Sequence, residues 1–215
     1  MRSIDWIVEE LALLDVDIRL GSTIDEHVLA TLGADALVIA TGSRPGPMPF
    51  DVDGTIPVLT TDAALDVMDR EPLGNVVVYD VLENEEAAVT YEQLLTRCET
   101  VTVITPAPQI GRYLGHTHAA DHVERLVAQG CRIEERTTIR SITGGKVESR
   151  SELTGDRSWR SDVDAVVLAA HRQPATGLVR AARARVDRVM VIGDAYAPHS
   201  ALQAFREGDN AGRSL

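Results

Sequence analysis

The sequence predicts an α/β protein made of two Rossmann-like βαβ domains, the first incomplete, with a small antiparallel meander in the second. Three observations lead there. Apolar runs of strand length, such as ALVIA from 36 and VVVYD from 76, have the continuous hydrophobicity of parallel strands buried on both faces. Helical stretches alternate with these strands, as a doubly wound sheet requires. A pattern of helix, strand and Thr-Ile occurs twice: Val8, Glu9, Leu11, Ile18, Thr23 and Ile24 fall on Val123, Glu124, Leu126, Ile133, Thr138 and Ile139.

In order along the chain, residues 4–15 place Ile4, Ile7, Val8, Leu11 and Leu14 on one face at helical spacing, so an amphipathic helix is expected. A short strand, VDIRL at 16–20, follows, then a Gly21 turn and a brief helical segment. ADALVIATGSRPGP at 34–47 reads as a buried strand, a small-residue turn and prolines that end regular structure. A Pro- and Gly-rich stretch runs on to about Asn75. The second copy opens with strand 76–80, a helix over 85–97 and the strand TVTVITP at 100–106, together a βαβ unit. Its DAVVLAAHRQP from 164 echoes DALVIATGSRP from 35. Between them Gly144-Gly145 and Gly155-Asp156 mark the tight turns of the meander. A last strand ends at Gly193-Asp194, and a helix starts near His199.

The first copy has no βαβ opening ahead of its helix, which leaves a fragment or a polypeptide completed by another as the two expectations. The domains expected are 1–57 with 176–215, and an inserted domain over 72–175.

Composition narrows the partners. Twenty-one basic against 33 acidic residues give a net charge of −12 over 215 residues, which repels nucleic acid and anionic membrane surfaces. There is no run of 18 apolar residues and no signal-peptide core, so a soluble cytoplasmic protein is expected. Cys98 and Cys131 form no Cys-x-x-Cys pair and read as small core residues. His118 and His122, with His116 nearby, could share a helix face, but no carboxylate motif completes a metal site there, and none is expected.

Two turns are the candidate nucleotide sites. Asp194 ends a strand and is followed by Ala195 and a helix N-terminus, an arrangement that can bond a ribose or ribityl hydroxyl while the helix dipole faces an anion; capping of the helix region is the plainer alternative. The other turn, Glu83-Asn84-Glu85-Glu86, puts acid where a dinucleotide turn carries glycines. Side chains there would block close backbone approach, and three glutamates would face a pyrophosphate; alternatively they favour a helix N-terminus capped by Asn84.

DALVIATGSRPGP, an inserted βαβ domain and then VMVIGDAYAP resemble, in that order, the flavoproteins with two dinucleotide-binding (FAD/NAD(P)-binding type) domains. More narrowly, IDWIVEELALLDVDIRLGSTI, VTVITPAPQIGRYLGHT and IGDAYAPHSALQAFREGDNAGR resemble the C-terminal nucleotide-binding half of the trimethylamine dehydrogenase and 2,4-dienoyl-CoA reductase group, old-yellow-enzyme-like NADH:flavin oxidoreductases. The resemblance implies that Ala40, Thr41 and Gly42, with Gly193, Asp194 and Ala195, approach an ADP or FAD. It assigns FMN and a 4Fe-4S cluster to a barrel segment or partner polypeptide with no counterpart in these residues, and no catalytic residue to this chain. It implies that a degenerate turn at 83–86 receives no NAD(P), electrons passing through the cluster to an electron-transferring flavoprotein. The expected function is a portion or subunit of an amine dehydrogenase-type flavin and iron–sulfur oxidoreductase. A portion of an NAD(P)H-dependent enoyl reductase and a non-catalytic nucleotide-binding scaffold or decayed fragment are the alternatives. Association with the missing half, or of the chain with itself as a homo-oligomer, is expected at unpaired strand edges.

Overall fold

The computed structural model describes residues 2–14, 16–70 and 73–215. In chain order the helices are α1 (Arg2–Leu13), α2 (Glu26–Leu29), α3 (Thr61–Met68), α4 (Glu85–Leu95), α5 (His116–Ala128), α6 (Val179–Arg183) and α7 (Ala201–Ser214). The strands are β1 (Ala36–Ile39), β2 (Ser43–Pro45), β3 (Asp51–Val52), β4 (Val58–Thr60), β5 (Asn75–Asp80), β6 (Thr100–Ile104), β7 (Arg132–Glu134), β8 (Thr137–Thr143), β9 (Lys146–Ser151), β10 (Arg157–Arg160), β11 (Ala165–Ala169), β12 (Arg172–Pro174) and β13 (Arg188–Val191). They fall into two units, Met1–Thr41 with Thr176–Leu215, and Gly42–Ala175.

The first unit is built on a parallel pair, β1 beside β13, in the register Ala36↔Arg188 to Ile39↔Val191. Leu29 of α2, Ile39 of β1 and Ala181 and Ala182 of α6 close a small core with Ala195. α1 forms as its periodicity predicts, but its apolar side chains are not covered: Ile4, Val8 and Leu14 are exposed, and Ile7 and Leu11 are half-buried. The strand expected at 16–20 does not form. Val16, Ile18 and Leu20 are exposed, in a segment with no ladder partner among the described residues, and apolar alternation alone cannot make a strand where no neighbouring strand supplies hydrogen bonds. Asp15, within the expected helix, lies outside the described residues.

The second unit is a three-layer arrangement around a five-stranded parallel sheet, β4-β11-β5-β6-β7. Alternation along β5 explains why the whole strand is apolar. Val76 and Val78 point to one cluster with Tyr91 and Leu94 of α4 and Leu126 of α5, whereas Val77 and Tyr79 point to another with Ile139, Ile142 and Val147 of the meander. The meander is antiparallel β8-β9-β10, with β3 added parallel to β8. Its turns carry Gly144 and Gly145 at φ of 57° and 70° and Gly155 at 79°, left-handed values that favour glycine. Cys98 and Cys131 both pack on the α4 side of the sheet, as small core residues.

The first domain boundary differs from the expected one at 57. Residues after Thr41 give β2, β3 and β4 to the second unit's sheets, so that unit starts at Gly42 rather than at 72. Proline and glycine density marks this stretch as irregular but carries no information about which sheet it joins. The echoed segments SRP and RQP become the antiparallel partners β2 and β12, Ser43 opposite Pro174 and Pro45 opposite Arg172. Arg172 fastens the pair by donating Nε–H to Ser43 Oγ at 2.8 Å.

Candidate functional site

Parallel pairing decides the geometry of the first candidate site. Because Ile39 lies opposite Val191, and the Ile192 N–H donates to Ile39 O at 3.0 Å, both strands end at the same level. Ala40-Thr41 and Gly193-Asp194-Ala195 therefore leave the carboxyl edge of the pair side by side, where doubly wound sheets bind ligands. Ala40 and Thr41 are exposed, Asp194 is half-buried, and Ala195 is buried in the unit core. Gly42, the remaining residue of the expected set, belongs to the second unit; its carbonyl accepts the Ala175 N–H at 3.0 Å.

After β13 the chain makes a single 3-10 turn over Gly193–Ala195, entered at a φ of 59° that suits glycine. Asp194 Oδ1 accepts the His199 N–H at 3.2 Å, so the acid shapes the approach to α7, as the capping alternative holds. Ser200 is the α7 N-cap, its Oγ accepting from Gln203 N–H. One residue that sequence reasoning missed supports the turn. Glu207 Oε2 accepts the Gly193 N–H at 2.6 Å, and Oε1 accepts Gln203 Nε2–H at 2.8 Å; these bonds hold the Glu207 carboxyl below its usual range, the Gln203 bond foremost. An acid two turns into a helix carries no sequence signal for such a role. Beside the turn a cleft of about 370 Å³ runs along β13 and α7, lined by Met190, Ile192, Tyr196, Glu207 and Ala211.

The second candidate, the turn from β5 to α4, differs from the expected picture of glutamates facing outward. Asn84 is the N-cap of α4, Oδ1 accepting the Ala87 N–H at 3.2 Å, as its sequence position suggested. Of the acids only Glu85 is exposed. Glu86 accepts the Thr61 hydroxyl at 2.7 Å, and Glu83 is buried and forms an ion pair with Arg112 Nε at 3.1 Å. Burial pushes the Glu83 carboxyl up, against the pull of Arg112. The Glu83 backbone is left-handed, φ 53°, a conformation that non-glycine residues adopt at a cost.

The centre of this turn is Asp80, the last residue of β5 and fully buried. Its Oδ1 accepts the N–H groups of Leu82 and Glu83, both at 2.9 Å, and its Oδ2 accepts the Tyr91 hydroxyl at 2.8 Å. Burial holds the Asp80 carboxyl above its usual range, although all three donors oppose that shift. The sequence showed only an acid at the end of an apolar strand.

The histidines form a different constellation from a metal pair. His122 is buried against Tyr91 with ring centroids 5.8 Å apart, and its Nδ1 meets Glu92 Oε1 at 3.0 Å. His118 lines the same small cleft between α4 and α5; the side chain of His116 lies outside what is described. Among the described residues no three metal-ligand side chains converge. No helix among them is long and apolar enough to cross a membrane.

Comparison with known proteins matches this architecture. The family model for pyridine nucleotide-disulphide oxidoreductases matches residues 13–208. Histamine dehydrogenase from Rhizobium sp. 4-9 superposes with a TM-score of 0.89 at 24% identity, over 100% of this chain and 36% of its own. The 6-hydroxypseudooxynicotine amine oxidase of Pseudomonas geniculata N1 gives 0.84 at 28% identity, over 98% of this chain and 34% of its own. N,N-dimethylglycine/sarcosine dehydrogenase from Chromohalobacter salexigens is 32% identical over 119 residues, 52% of this chain and 17% of that protein. The chain thus spans about a third of these two solved structures, and it resembles the nucleotide-binding half of the trimethylamine dehydrogenase group.

Proposed function

The chain belongs to the pyridine nucleotide-disulphide oxidoreductase family, and from that premise we propose that it is the nucleotide-binding part of a flavin and iron–sulfur oxidoreductase of the amine dehydrogenase type. The observation that carries the reading is the parallel β1–β13 pair, which sets Ala40-Thr41 beside Gly193-Asp194-Ala195 at one carboxyl edge. An ADP, alone or as part of FAD, is the proposed occupant of this part of the site. Asp194 offers carboxylate oxygens to ribose or ribityl hydroxyls, and the left-handed Gly193 keeps a Cβ out of the turn. The neighbouring cleft of about 370 Å³ has room for part of the nucleotide. Bound there, a flavin supplies the redox chemistry and an ADP alone a structural anchor; the chain contributes binding and orientation, with no residue assigned to catalysis.

The amine-oxidising names of the relatives support an amine substrate, read by an FMN barrel with a 4Fe-4S cluster on a segment or partner polypeptide. An electron-transferring flavoprotein is the proposed acceptor and the cytoplasm the proposed location. The reductase alternative requires the second unit to take a nicotinamide dinucleotide, and the β5–α4 turn, whose Leu82 and Glu83 donors are occupied by Asp80, disfavours it.

Titration of ADP and of FAD into the purified chain tests the reading. Saturable binding is expected. Asp194→Ala should weaken it about tenfold or more, the equivalent of one charge-assisted hydrogen bond. Affinity unchanged by Asp194→Ala would remove the assigned site, and absence of any binding would favour the decayed-fragment alternative. Turnover of an amine with a dye acceptor by this chain alone would overturn the placing of the chemistry on another segment.

A further inference from the structure

We propose that Asp80 is the residue that closes the second unit to dinucleotides, by seating its own carboxylate where a phosphate would take the backbone donors. The inference rests on the reading above that this unit takes no nicotinamide dinucleotide, and it assigns the cause. A dinucleotide turn works because N–H groups between the strand end and the helix point at the pyrophosphate, and because glycines let it approach. In this turn the Leu82 and Glu83 N–H groups both point at Asp80 Oδ1, at 2.9 Å. The next donor with a defined partner, Ala87 N–H, is taken by Asn84.

The carboxylate is not a loose substitute. It is fully buried, its second oxygen takes the Tyr91 hydroxyl at 2.8 Å, and Tyr91 is itself fully buried under the sheet. Three donors on two oxygens are what a buried carboxylate requires to stay inside a protein. The same bonds shape the chain above it. Glu83 takes the left-handed conformation, with its carbonyl accepting Tyr113 N–H at 3.0 Å and its side chain drawn to Arg112. Repulsion by outward glutamates is the weaker explanation, since Glu83 and Glu86 are engaged with Arg112 and Thr61.

Calorimetric titration of NADH into three folded variants separates the causes. Glu85→Gln/Glu86→Gln removes charge but leaves the seat filled, and Glu83→Gly relieves the backbone but also leaves it filled. Only Asp80→Ala/Glu83→Gly empties the seat. Binding at least about tenfold tighter than in the unmodified chain is expected for that variant alone. An equal gain in either of the others, or no gain in the emptied one, would overturn the proposal. Should the emptied variant fail to fold, amide hydrogen exchange in the unmodified chain decides. The Leu82 and Glu83 amides should be protected while the first-turn amides of Glu85 and Glu86 exchange freely; equal exchange at all four would show that the seat is not held. Low-micromolar NADH binding by the unmodified chain would instead sink the underlying reading.

Discussion

The Glu207 carboxylate accepts the Gly193 N–H at 2.6 Å, tying the middle of α7 to the turn that presents Asp194. A group on a rigid helix thereby fixes the height of a loop residue proposed to bind a ribose. Glu207→Ala should speed exchange of the Gly193 amide and weaken ADP binding several-fold, with Glu207→Gln restoring most of both because its amide oxygen still accepts. Exchange at Gly193 unchanged in Glu207→Ala would show that the contact does not hold the turn.

Asp80 makes stability depend on pH in an unusual direction. Its folded pKa is raised by burial, so folding favours the protonated acid. The penalty is absent below the unfolded value, near about 3.9, and grows until pH passes the raised folded one. Asp80→Asn keeps an oxygen for the two amides and offers Nδ2–H to the Tyr91 oxygen without the charge. It should melt a few degrees above the unmodified chain at neutral pH, a gap corresponding to about 1 kcal/mol, and the gap should shrink toward pH ~4. A constant or reversed gap across thermal melts at several pH values would contradict the burial argument.

The second unit was more legible in the sequence than the first, for a physical reason. β5, α4 and β6 carry their own packing information: Val76 and Val78 on one face, Val77 on the other, and Asn84 capping a helix that buries Tyr91 and Leu94. The 16–20 segment alternates apolar and polar residues as a half-buried strand does, but no strand pairs with it among the described residues, and Val16, Ile18 and Leu20 are exposed. The Asp80 and Glu207 bonds were out of reach because each joins a side chain to backbone groups through a turn whose conformation only the fold defines. The Gly193-Asp194 turn was legible as a place in the fold, the end of a strand ahead of a helix, where glycine takes a left-handed φ of 59°.

Exposed apolar groups on the first unit suggest how the chain behaves in solution. Ile4, Val8 and Leu14 of the α1 segment are uncovered, and β1 has no ladder partner other than β13 among the described residues. Surface of this kind associates. Light scattering should show self-association that grows with concentration, or capture of a barrel-bearing polypeptide when one is supplied. A clean monomer at high concentration that captures nothing would argue that these faces are adapted to water.

The second unit keeps the architecture of a dinucleotide domain, with a turn proposed to be closed to nicotinamide cofactors. Titration of NADH into the unmodified chain, with circular dichroism confirming that it is folded, tests this most directly. Binding no tighter than ~mM is expected, because a pyrophosphate would find the Leu82 and Glu83 amides already taken by Asp80. A dissociation constant in the low micromolar range would contradict the account and move the assignment to an NAD(P)H-dependent reductase.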